Sequence, residues 1–156
     1  MVNRYHSNSA EGLATAKSVF QTRYEAASFA YVVGLIMRGE GTYVSDIGIV
    51  VIYDHLEAAC RKSFIVGDMP IKAFVHNYET LAWFVKEDVL RCRPSILNMT
   101  AEGRIIGREH DRAEALRREM SDFLAKGPPP LSPTALNALR YELIVRARGR
   151  RTCSAK

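Results

Sequence analysis

Gly34-Leu35-Ile36-Met37-Arg38-Gly39-Glu40-Gly41-Thr42-Tyr43-Val44-Ser45-Asp46-Ile47-Gly48-Ile49-Val50-Val51 is the stretch that decides the fold. An apolar run, Phe29 to Val33, stops at Gly34; a polar, glycine-rich segment follows; a second apolar run opens with Ser45-Asp46. Both runs are rich in β-branched residues, which predicts buried strands over Ser28–Gly34 and Asp46–Tyr53. The second is nearly continuous in Ile and Val, as a central strand should be. Side chains two apart on a strand share a face, so Asp46 and position 48 point the same way.

Upstream, Ser9 is placed to cap a helix over Ala10–Tyr24 with Leu13, Ala16, Val19 and Phe20 on one side. Downstream, Leu56 to Lys62 has no clear period. Ser63–Val66 and Met69–His76 read as a strand pair around the turn dipeptide Gly67-Asp68. Alternation puts Lys72 and Phe74 on one face of the latter, and Ile71, Ala73 and Val75 on the other. From Asn77 the period becomes helical. Tyr78–Leu90 carries a stripe of Leu81, Phe84, Val85 and Leu90, stopped by Pro94. A short helix over Ser95–Glu102 ends at Gly103, and Ile105-Ile106 is briefly extended. Arg108 to Lys126 is helical with Ala113, Leu116, Met120, Phe123 and Leu124 inward, ended by Gly127 and a proline run. Ser132-Pro133 opens a last helix with Leu136, Leu139, Leu143 and Ile144 at helical spacing. The order predicts an α+β fold, a mixed sheet with flanking helices and a C-terminal helical segment. It divides into a core over 1–107, a helical segment over 108–145 and a basic tail over 146–156.

A chain of 156 residues, 47% apolar and 25% charged, can bury a core without staples. No apolar run is long enough to span a bilayer. Met1 to Ser9 is polar and lacks a signal pattern, so a cytoplasmic location is expected. Cys60, Cys92 and Cys153 are odd in number and widely spaced, which fits reduced thiols better than a disulfide framework or zinc site. The net charge of +5 is carried by the tail, where Arg146, Arg148, Arg150, Arg151 and Lys156 stand without an acid. The body is neutral, and no aromatic interleaving accompanies the tail, so nucleic acid is disfavoured as a partner.

The glycine loop followed by Ser45-Asp46 resembles the signature of the nucleotidyltransferase superfamily with the polymerase-beta-type fold. Ile71 to Asn77 and Glu79 to Phe84 are similar to the stretch around the third acidic strand in bacterial nucleotidyltransferase-domain proteins near the kanamycin-type and minimal branch. The likeness runs over about Ala10 to Tyr141. It implies further helices beyond this length, so the basic tail reads as the kind of break a truncation or frameshift leaves.

The resemblance implies transfer of a nucleotidyl group from a nucleoside triphosphate, ATP in the first instance, to an acceptor oxygen, with pyrophosphate expelled. Two Mg²⁺ ions would offset the triphosphate charge, held by three carboxylates on adjacent strands. On that implied pattern Gly34 is the phosphate-loop glycine, and Arg38, Gly39, Glu40, Thr42 and Ser45 match the nucleotide-binding loop. Asp46 matches the first catalytic, metal-binding carboxylate. Four positions depart from it. Leu35 replaces the hydroxyl donor, Gly48 the second carboxylate and Lys72 the third; Asn77 stands where relatives often have aspartate. Glu40 and Asp54 are near enough in sequence to be considered as substitute ligands. The expectation is therefore a nucleotidyltransferase-family protein with impaired catalysis. Its alternative is an inactive nucleotide-binding or protein-interaction module, open to a protein partner or a second copy. His76, on an apolar strand, is expected to be a hydrogen-bonded core histidine.

Overall fold

The computed structural model describes residues 9–34, 46–127, 130 and 132–153. Within them α1 (Ser9–Arg23) leads into β1 (Phe29–Val33) and β2 (Ile47–Ile52). The hairpin β3 (Cys60–Val66) and β4 (Met69–His76) follows, then α2 (Tyr78–Leu90), α3 (Ser95–Glu102), β5 (Arg104–Gly107), α4 (His110–Lys126) and α5 (Pro133–Cys153). The strands form one mixed sheet in the order β3-β4-β2-β1-β5. β1 is antiparallel to both β2 and β5, β4 is antiparallel to β3, and β2 and β4 run parallel. The predicted α+β architecture is the one observed.

Alternation along the strands builds two cores. Ile47, Ile49 and Val51 of β2 and Ile71, Ala73 and Val75 of β4 pack against Ala16, Val19 and Phe20 of α1. Val50, Ile52, Phe29 and Tyr31 face the other way, onto Leu81 and Val85 of α2, Ile96 and Leu97 of α3, and Leu116 and Met120 of α4. Covered on both faces, every residue of β2 is buried, which is why it reads as an unbroken apolar run. Tyr31 is wholly buried, and its hydroxyl donates to the Ala113 carbonyl at 2.7 Å. Burial pushes that phenol well above its ordinary value, so it stays a neutral donor tying β1 to α4.

Three expectations need correction. Phe84 and Leu90 were placed on the inward stripe of α2, yet only Leu81 and Val85 are buried there. Leu81 and Val85, one turn apart, are the buried α2 residues of this core, and α3 packs beside them on β1. Phe123 of α4 likewise stays exposed. The basic stretch after Val145 was not expected to look like a helix, but α5 continues through it to Cys153. Arginine is a good helix former, and cations in a last turn suit the helix dipole. No helix among the described residues is long and apolar enough to cross a membrane.

Asn77 fixes the passage from β4 into α2. Its side chain accepts from the Thr80 amide at 2.8 Å, and the Thr80 hydroxyl accepts from the Asn77 amide at 3.0 Å, a reciprocal cap. Asn77→Ala should cost about 1 kcal/mol, a fall in Tm of about 2–4 °C for a domain of this size, while Asn77→Asp should keep most of the stability. Thermal unfolding followed by circular dichroism checks both; equal loss in the two variants would show that the cap is not what Asn77 supplies.

Candidate functional site

Gly34 ends β1 with φ +131°, a conformation open to glycine but not to other residues. A Cβ built there would lie 2.7 Å from the carbonyl oxygen of Asp46, so backbone touches backbone where the loop leaves and re-enters the sheet. Arg38, Gly39, Glu40, Thr42 and Ser45, together with Leu35, lie outside the described residues. Of the predicted nucleotide and metal residues, Gly34 and Asp46 are therefore the two the fold places, side by side at one end of the sheet.

The parallel register sets Gly48 beside Lys72. From there the lysine reaches along β4, and its Nζ forms an ion pair with Asp46 Oδ2. Both side chains keep some two-fifths of their surface open, at 45% and 40%. An ion pair so exposed contributes at most about 1 kcal/mol to stability. Its significance is chemical: an ammonium occupies the flank of the carboxylate where a metal would need to sit.

Gly48 is closed off as well. A Cβ there would lie 2.8 Å from Val33 Cγ2 and 3.2 Å from Met99 Cε. Space that a second carboxylate would use is filled from β1 and α3. Asp54, considered as a substitute ligand, sits past the far end of β2. Arg112 donates to it at 2.8 Å and holds its carboxyl below the ordinary range. The same guanidinium bonds Glu109 at 2.5 Å and lies 5.1 Å from the centre of the Tyr78 ring, a structural tie between α4 and the sheet. Among the described residues no group of three or more His, Cys, Asp or Glu could hold a metal. One carboxylate and one ammonium do not fit Mg²⁺, which requires several hard oxygen ligands.

The fold has a counterpart among solved structures. A nucleotidyltransferase-like protein from Exiguobacterium sibiricum 255-15 superposes with a TM-score of 0.51 at 13% identity. The match takes in 68% of this chain and 38% of that one, so the likeness spans well under half of the larger protein. The chain has a nucleotidyltransferase-like fold. No protein-family model matches the sequence, and no curated protein matches it.

His76 follows Lys72 and Phe74 along the same face of β4. It is 3% exposed, with Nδ1 3.3 Å from the Thr80 hydroxyl and its ring edge-on to Phe84 at 5.0 Å. Burial pushes the imidazole below its ordinary value, so it is a neutral core histidine, as expected, and not a free base. Val33 and Met99 were not foreseen as neighbours of Gly48. The antiparallel pairing of β1 with β2 could have indicated Val33, which stands opposite Gly48. Nothing in the spacing indicates Met99.

Because Val33 is β-branched and held in a strand, Gly48→Asp should destabilise the protein by about 1–3 kcal/mol through overpacking. Val33→Ala made together with it should recover part of that loss, giving a coupling of more than about 0.5 kcal/mol in a double-mutant cycle. Urea titration of the four proteins measures the coupling; strict additivity would mean that Val33 does not close the Gly48 site.

Proposed function

We propose that this chain is a nucleotidyltransferase-family protein that binds a nucleoside triphosphate, ATP in the first instance, and whose transfer of the nucleotidyl group to an acceptor hydroxyl is impaired. The observation that carries the reading is the Lys72–Asp46 ion pair, set by the pairing of β2 with β4 at the place where the resemblance puts a metal. A lysine is a serviceable point charge for phosphate, able to offset one negative oxygen, but it cannot hold the attacking and leaving oxygens in line as a metal pair does. Losing about 5 kcal/mol of transition-state stabilisation corresponds to roughly four orders of magnitude in rate. Phosphate would approach from the Lys72 side of this end of the sheet, since the Asp46 carbonyl fills the space a side chain on Gly34 would take. A recess of about 620 Å³ at the opposite end of the sheet is lined by Asp54, Glu57 and Glu79, and this acidic lining suits a triphosphate poorly.

The second reading, an inactive module that works through protein contact, is favoured by α5. Leu136, Leu139, Tyr141, Leu143, Ile144 and Val145 are all exposed on it, more apolar surface than a solvated helix ordinarily shows. On either reading the acceptor-side chemistry is left to segments other than the sheet, and a cytoplasmic setting is part of the proposal.

Calorimetric titration with ATP, with and without Mg²⁺, tests the first reading. The expected result is binding that magnesium changes by less than about threefold and that Lys72→Met weakens by about tenfold, with no pyrophosphate released in the presence of pooled hydroxyl acceptors. Strong stoichiometric magnesium dependence would overturn impaired metal catalysis. Absence of ATP binding under either condition would leave the protein-contact reading in its place.

A further inference from the structure

Between the β3–β4 edge and the α2–α3 pair lies a recess of about 460 Å³, within the range of small-molecule sites. Phe74 and His76 of β4 form one wall, and Phe84 of α2 with Ile96 and Met99 of α3 form the other. Met99 is also the residue that closes Gly48. The aromatic groups continue outward: His76 meets Phe84 edge-on at 5.0 Å, and Phe84 meets Trp83 edge-on at 4.9 Å. Phe84 and Trp83 are exposed at 39% and 56%, so ring faces and edges are available to a ligand without a change of fold.

Two charged groups line the recess, Arg61 and Asp88. Arg61 stands opposite Phe74 across the β3–β4 pair, its guanidinium 5.2 Å from the centre of the Phe74 ring. Among the described residues no carboxylate is within ion-pair distance of Arg61, so this cation is already seated on an aromatic wall and still lacks an anion. Asp88, the acid of the recess, is held in place on α2: its Oδ2 accepts the Ile96 amide at 2.8 Å and secures the start of α3. A guanidinium presents a fork of donors that fits a carboxylate or phosphate edge.

We propose that this recess binds a small, flat aromatic or heteroaromatic molecule carrying an anionic group, its ring between Phe74, Phe84 and Met99 and its anion on Arg61. Offset and edge-to-face ring contacts select aromatic over saturated bodies, and the sulfur of Met99 favours a ring edge. Arg61 selects anion over cation. The recess shares Met99 with the surroundings of Gly48, but neither Asp46 nor Lys72 lines it, so it is tested without nucleotide or metal.

Naphthoate is the probe, titrated calorimetrically into the full chain with neither nucleotide nor magnesium present, while the indole N–H of Trp83, the single tryptophan, is followed in a nitrogen–proton correlation spectrum. Expected are saturable binding with a shift of the Trp83 signal, and affinities at least about tenfold lower for naphthylmethylamine and for cyclohexanecarboxylate. Arg61→Gln and Phe84→Ala, both at exposed positions, should each weaken naphthoate by about tenfold and leave the rest of the spectrum in place. No binding up to millimolar naphthoate would overturn the proposal. Equal binding of the amine, or unchanged affinity in Arg61→Gln, would do the same.

Discussion

Parallel pairing between β2 and β4 is the constraint on which the rest of the molecule hangs. Parallel neighbours cannot be joined by a tight turn, so the chain leaves β2, passes through residues 53–59, and returns along β3 before β4 can lie down beside β2. That detour creates the edge strand on one side and leaves β1 to fill the other. Register then does two things at once. It buries Ile71, Ala73 and Val75 against α1, and it turns Lys72, Phe74 and His76 to the opposite face. A slip of one residue would drive the Lys72 ammonium into the α1 core, a cost no sheet tolerates. The same restraint that protects the core thus dictates where the lysine points.

Around Gly48, packing and chemistry compete for one volume. A carboxylate needs open space and company from other oxygens; Val33 and Met99 supply neither. Once a strand position has been given over to close apolar contact, its reversal involves its neighbours as well. Asp46 is different, since it lies at the strand end, half open to water, and needs no accommodation there. Asp46 thus stands in an ordinary setting, while the positions beside it do not resemble a metal site.

Much of this was legible beforehand, for local reasons. Strands β1, β2 and β4 announce themselves by β-branched runs and, at β4, by the alternation that assigned Lys72 its face. Helices α2 and α3 begin and end where Asn77, Pro94 and Gly103 require, because caps and breakers act within a few residues. The failures are long-range. Which turns of α2 are covered depends on where α3 lands, so Phe84 and Leu90 were put inside although both are outside. The ion pair followed from register, but the closing of Gly48 by Met99 and the seating of Arg61 on Phe74 join elements far apart in the chain. The loop residues Arg38 to Ser45 carry the most recognisable pattern of the sequence, yet they lie outside the described residues.

α5 touches the remainder of the described structure lightly, through such links as the 3.9 Å ion pair from Arg93 to Glu142, and leaves most of its large side chains in water. In free-energy terms it is nearly a separate cooperative unit. Its backbone amides would exchange with solvent through openings that leave the sheet intact, whereas those of β1 and β2, bonded on both sides and covered on both faces, would exchange only when the whole domain opens. Substitutions in α5 and in the sheet therefore act on different equilibria, and sequence drift along the helix is hidden from the stability of the core.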